Sequence, residues 1–303
     1  MKNVKIYFTK QNYIPFNLYI SSLYNILLGN GFNVSVINNI IDVCIDTEFL
    51  ILFLNDISDV YNFDARNTKV VFIHADYIKN HSKCDQEKIS SYINIKNPKN
   101  TFIWEYNNLN MEYYRENYQN KKNWIYYLPL LYHSTLEHIY KSSVTSSIPY
   151  ENKQFDILFM GSLQDRRLNV VNALKLKYNV QVIQRIDDIK QYVDAIENSK
   201  IVLNIYSSET NKPFDYYRLA LLYSNKVMVI NETIEHYNTD IEKNLIELKD
   251  VMIHADYTSI EVEIGRYLSM PSGKISEITE QIYNTFKKDN MNDYVENFFM
   301  SFN

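Results

Sequence analysis

Along the first half of the chain, short apolar runs alternate with stretches whose apolar residues recur at helical spacing, the pattern of parallel strands covered by helices. Residues 4–8 read as the first strand. Residues 15–28 follow as a helix, opened by Pro15 near its first turn and closed before Gly29. Residues 32–37, 49–54, 69–74, 101–104 and 124–128 continue the series as further strands. The segment 134–150, ending in KSSVTSSIPY, is poor in large apolar residues and rich in serine, and reads as the connection between two domains.

The alternation then restarts: a strand at 155–160, a helix at 165–178, a strand at 180–184, a helix at 187–198, a strand at 201–206, a helix at 213–224 and a strand at 227–230. Helical spacing recurs at 259–268, 275–288 and 290–302. This predicts an α/β fold of two Rossmann-like domains, residues 1–145 and 146–285. Open sheets bind ligands beyond the carboxyl ends of their strands, so two such domains facing each other make a cleft. The stretches VFIHADY at 71–77 and VMIHADY at 251–257 are alike, and without any period they read as similar strand-end composition rather than a repeat.

A length of 303 residues allows two domains with a core each. With 46% apolar and 22% charged residues and a formal net charge of -5, the chain has a soluble globular composition and lacks the basic run that nucleic acid requires. No apolar run approaches the roughly 20 residues that span a bilayer, so no transmembrane segment is expected. Cys44 and Cys84 stand far apart and the start MKNVKIYFTK has no secretory pattern, so the expected location is cytoplasmic. Glycine is scarce, at five residues. That excludes a P-loop and the three-glycine dinucleotide fingerprint, since Val34 stands where a third glycine would follow Gly29 and Gly31. Any phosphate must be held by side chains and helix ends.

One place offers such side chains. In FMGSLQDRR a buried-type strand ends at Gly161 and Ser162, and a helix begins near Asp165 with Arg166 and Arg167 in its first turn. Cations at the positive end of a helix cost roughly a few tenths of a kcal/mol each, which a bound anion would reverse. The other reading has both arginines in water and Asp165 as a cap. Further on, Asp215 and Arg218 are spaced i to i+3, either as an ion pair on a helix surface or as a carboxylate and guanidinium aimed at one ligand.

From Phe155 to about Lys288 the order of these features resembles the carboxyl-terminal domain of GT-B glycosyltransferases of the group 1 and CgeB-like kind. The resemblance implies that the donor diphosphate is gripped at the strand end and first helical turn, here Gly161, Ser162, Arg166 and Arg167. It also implies a carboxylate, an arginine and a leucine-rich stretch before the next strand, matched by Asp215, Arg218, Leu221, Leu222 and Asn225. Tyr206, closing the strand between, completes the expected donor-binding set. The implied activity is transfer of a hexose-like sugar from a nucleoside diphosphate sugar to a hydroxyl of a glycan, lipid or protein, with no cofactor beyond that co-substrate. Arg166 and Arg218 would stabilise the leaving diphosphate, and residues 286–303 would pack back on the first domain. Ala220 stands where many group 1 members carry a second glutamate, which keeps a second reading open: a catalytically degenerate scaffold serving as a binding or assembly module.

In the first half, His74 closes a strand and precedes Asp76. It can take the acceptor hydroxyl's proton, or be satisfied by local backbone groups. His133 and His138 are not spaced as a helical metal pair and no Asp-x-Asp occurs, so metal-independent chemistry is expected.

Overall fold

The computed structural model describes residues 2–8, 14–43, 46–53, 68–74, 100–118, 124–141, 148–184, 189–207, 209, 212, 214–234 and 243–302. The chain divides into two compact units, one of Met1–Asn12, Phe16–Leu130 and Met291–Asn303, the other of Tyr13–Pro15 and Leu131–Asn290.

The first unit holds a six-stranded parallel sheet of β1 (Asn3–Tyr7), β2 (Asn33–Ile37), β3 (Phe49–Phe53), β4 (Lys69–His74), β5 (Thr101–Glu105) and β6 (Ile125–Tyr127), in the order β2-β1-β3-β4-β5-β6. Its central strands are nearly continuous apolar runs; Phe49 to Leu52 are fully buried. Helix α1 (Ile14–Gly29) returns the chain from β1 to β2, and α2 (Asn108–Asn117) lies between β5 and β6. At the end of α1, Gly31 N–H donates to Leu28 and Phe32 N–H to Leu27, a turn that places Gly31 at φ 78. Only glycine adopts that angle without cost.

The second unit begins with α3 (Ser134–Lys141), so the stretch expected as a bare connection carries a helix. The serine-rich composition starts only after Lys141, and Leu136 is buried. There follow β7 (Phe155–Met160), α4 (Asp165–Lys175), β8 (Val180–Ile183), α5 (Ile189–Glu197), β9 (Ser199–Asn204), α6 (Tyr216–Ser224), β10 (Val229–Glu232), α7 (Lys243–Val251), β11 (Ile253–Ala255), α8 (Ile260–Leu268) and α9 (Ser272–Phe286). The five strands are parallel in the order β11-β10-β9-β7-β8. One face buries Ile157, Phe159, Ile201, Leu203 and Ile230 under Val171 and Leu174 of α4 and Ile260 and Ile264 of α8. Helix α6 ends in the same turn as α1, Val227 N–H to Leu222 and Lys226 N–H to Tyr223, but with Lys226 at φ 54 where α1 has glycine.

The last helix, α10 (Met291–Met300), packs in the first unit. Phe298 meets Trp104, Phe102 and Tyr126, and Phe299 meets Phe49 and Phe32, mostly edge to face.

In each sheet the strand order reverses beside the first strand, between β1 and β3 and between β7 and β9. Ligands of such sheets sit outside the carboxyl ends of the strands at that reversal. Of the two similar stretches, the first has its described part, residues 71–74, on β4 and the second runs through β11, and these strands stand at different places in their strand orders. Among the described residues no helix is long and apolar enough to cross a membrane.

Candidate functional site

The carboxyl ends of β7 and β9 define one such reversal. At the end of β7 the chain leaves the sheet through Gly161, whose N–H donates to Ile183 and whose φ is 140, an angle that side chains rarely adopt. Ser162 is exposed, and α4 starts three residues on without a side-chain cap. Asp165 is the helix's first residue, at φ 44, while Gln164 holds the cap position.

Arg166 and Arg167 follow one another on a helix of 3.6 residues per turn, so their side chains diverge. Arg166 turns inward. Its two terminal nitrogens donate to the two carboxylate oxygens of Glu232 at 2.7 and 2.6 Å, and Nη1 also donates to the carbonyl of Tyr206 at 2.9 Å. Glu232 is fully buried and further accepts from the Tyr206 N–H at 3.0 Å, with Lys212 Nζ at 3.1 Å. The Tyr257 ring lies 4.2 Å from the Arg166 guanidinium and its hydroxyl donates to the Arg166 carbonyl. The bidentate Glu232 carboxylate holds the Arg166 pKa above the usual guanidinium value. Expected to grip a diphosphate, Arg166 is occupied within the protein.

Arg167 takes the other direction. Its Nε donates to the carbonyl of Ile205 at 2.9 Å, beyond the end of β9, and Nη1 reaches Ser162 Oγ at 3.4 Å. Among the described residues it makes no ion pair. Burial first, and then the charge of Arg218, hold its pKa below the usual guanidinium value.

Arg218 comes from α6, which begins later than expected. Asp215, the residue before it, is the cap: its Oδ1 accepts from the Arg218 N–H at 3.3 Å, and Oδ2 lies 3.6 Å from Arg218 Nε. The spacing of Asp215 and Arg218 thus serves a cap and an ion pair together. Arg218 Nη1 donates to Asn204 Oδ1 at 2.7 Å, at the last residue of β9.

The two guanidinium groups meet at Gly161. A methyl group placed there would lie 3.7 Å from Arg167 Nη1 and 3.8 Å from Arg218 Nη2. Like charges converging on one point, with Asp215 as the partial counterweight, make a site of positive potential at the reversal of the sheet. Tyr206 enters this arrangement through its main chain, by the bonds to Arg166 and Glu232. His74 is the last residue of β4, in register with Glu105; its side chain lies outside the described residues, as does Asp76. Among the described residues no group of His, Cys, Asp and Glu stands together in a form that could hold a metal ion.

Glu232, Lys212, Asn204 and Asn231 were not singled out by the sequence. The available signal was an asparagine closing each of two neighbouring apolar runs, IVLN and VMVIN, with a glutamate directly after the second.

Both sheets have the order of Rossmann-like units, and the fold class is α/β with two such units, as the resemblance implied. Compared with solved structures, the chain is similar to WaaG, a glycosyltransferase involved in lipopolysaccharide biosynthesis, at a TM-score of 0.53 and 9% identity over 98% of each chain. It is also similar to the Candida albicans trehalose-6-phosphate phosphatase N-terminal domain, at a TM-score of 0.52 and 10% identity over 99% of this chain and 96% of that one. No family model matches the sequence and no curated protein matches it. At these identities the likeness is one of fold.

Proposed function

We propose that the protein is a glycosyltransferase that moves a sugar from a nucleoside diphosphate sugar to a hydroxyl acceptor, and that Arg167 and Arg218 seat the diphosphate against Gly161. The convergence of two guanidinium groups on a residue with no side chain carries this reading. In the reaction the acceptor oxygen bonds to the anomeric carbon, the bond from that carbon to the diphosphate oxygen breaks, and the electron pair leaves with the diphosphate. The charge that develops there meets two cations already in place, together with the amino end of α4. Preorganised guanidinium groups stabilise the leaving group without a metal ion, and Asp215 accepts from donor hydroxyls. Arg166 acts from behind, as the partner that fixes Glu232 and the main chain at Tyr206.

The test is a panel of nucleotide sugars, scored for thermal stabilisation and for release of nucleoside diphosphate, with wild type and Gly161→Ala. The new methyl would sit against both guanidinium groups and strain the backbone at φ 140, so the variant is expected to lose both responses, and Arg167→Ala, which leaves that backbone alone, is expected to lose them too. Stabilisation without release in wild type would mark a binding scaffold, and no response to any donor would remove the proposal.

A further inference from the structure

The second unit has a cavity at the other end of its sheet. Lys153 stands just before β7, Ser199 opens β9 and Met228 directly precedes β10, so these residues mark the amino ends of the strands, opposite to Gly161 and Asn204. With the carboxyl-terminal turn of α6 and part of α9 they line a cavity of about 320 Å³. That volume stands at the lower end of the roughly 300–1,000 Å³ of small-molecule sites. Its apolar lining comes from Ile148, Ile196, Val227, Met228 and Ile275.

Three lysines line the cavity against one carboxylate, Glu197. Lys200 is paired with Asp156 and Lys226 with Glu280, and neither of those carboxylates belongs to the lining. Lys153 is different. Its Nζ donates to the carbonyl of Ser199 at 2.9 Å, and among the described residues no carboxylate lies within ion-pairing distance of it. Burial is the larger influence on this ammonium group and holds its pKa below the ordinary lysine value, while the charge of Glu197 acts the other way from longer range. An ammonium group carries three donors, so the bond to Ser199 leaves donors over. A largely desolvated cation without an ion-pair partner is costly to hold, and an anion brought to it offsets that cost.

We propose that this cavity is a binding site for a small carboxylate with an apolar body, the carboxylate on Lys153 and the body against Ile196, Val227 and Ile275. One unpaired positive charge matches one negative charge, whereas a dianionic phosphate would leave its second charge to the repulsion of Glu197. The apolar lining disfavours a ligand that is polar throughout. The inference stands apart from the diphosphate reading, whose residues lie at the opposite ends of the same strands.

The experiment is a titration with benzoate, followed by saturation-transfer NMR, of wild type, Lys153→Met, Ser276→Phe and Arg167→Ala, with benzamide as the neutral ligand of the same shape. Wild type is expected to bind benzoate at least about tenfold more tightly than benzamide, the scale of one charge-assisted hydrogen bond. Lys153→Met keeps the apolar stem and removes the charge, so it should weaken benzoate about tenfold and leave benzamide within about twofold. Should Lys153→Met not fold, Ser276→Phe carries the test: position 276 is exposed and lines the cavity, so its ring fills the space with little cost to the core and should abolish binding of both ligands. Arg167→Ala should bind benzoate as wild type does. A wild type that binds no benzoate, or binds benzamide equally well, overturns the inference. So does benzoate binding that survives Ser276→Phe, or that is lost in Arg167→Ala and kept in Lys153→Met.

Discussion

The two neighbouring arginines of α4 are expected to fail in opposite ways when replaced. Arg166→Ala removes from Glu232 a bidentate partner at 2.7 and 2.6 Å and leaves a carboxylate with no exposure to water. Removing one partner of a buried ion pair costs about 3–5 kcal/mol. Lys212, 3.1 Å from the same carboxylate, and the Tyr206 N–H remain, which places the loss near the lower end, at about 3 kcal/mol. In a unit of this size about 3 kcal/mol lowers Tm by roughly 6–12 °C. Arg167→Ala breaks hydrogen bonds to Ile205 and Ser162 and relieves repulsion from Arg218, so its cost is expected to stay below about 1 kcal/mol. Both tryptophans, Trp104 and Trp124, lie in the first unit, so the transition of the second is followed by far-ultraviolet circular dichroism in a urea titration rather than by tryptophan fluorescence. Arg166→Ala within about 1 kcal/mol of wild type, or the two variants equally destabilised, would refute the division of roles.

Lys226→Gly is expected to stabilise the second unit by up to about 1 kcal/mol, because a residue at φ 54 gives way to one without a Cβ while a half-exposed ion pair with Glu280 and a cation–π contact with the Tyr283 ring are lost; a urea titration showing destabilisation would contradict this. Phe298→Ala should cost about 3–5 kcal/mol and change Trp104 emission, since the ring sits 4.7 Å from the indole; unchanged emission and stability would exclude α10 as part of the first unit's core. Burial, and then the charge of Lys249, hold the His254 pKa below its ordinary value. The unfolded chain therefore binds the proton first as pH falls, and stability declines from about pH 6.5 downward until the depressed folded pKa is passed. His254→Gln should remove part of that slope in denaturation curves taken at several pH values, and an unaltered slope would show that His254 does not contribute.

The strands were legible because parallel strands covered on both faces read as apolar runs: β7 was expected at 155–160 and spans Phe155–Met160. Helix α2, NLNMEYYREN, was passed over because it has few aliphatic residues to set a period, and β11 because three residues carry no periodicity. The turn at Gly161 was legible for the same reason as β7: a run of apolar residues stops at a glycine. What adjacency in sequence could not convey was the parting of Arg166 from Arg167. That is decided by Glu232, 66 positions away, which captures one guanidinium and leaves its neighbour to Gly161. Likewise, the i to i+3 spacing of Asp215 and Arg218 was visible, but the cap that it builds depends on where α6 starts, and the amide that accepts from Arg218 comes from the end of β9.

The most direct measurement is the structure of the protein soaked with a nucleoside diphosphate. The account predicts phosphate oxygens within hydrogen-bonding distance of both Arg167 and Arg218, over the α-carbon of Gly161, with the bonds between Arg166 and Glu232 undisturbed. A diphosphate found elsewhere, or one that draws Arg166 away from Glu232, would contradict it.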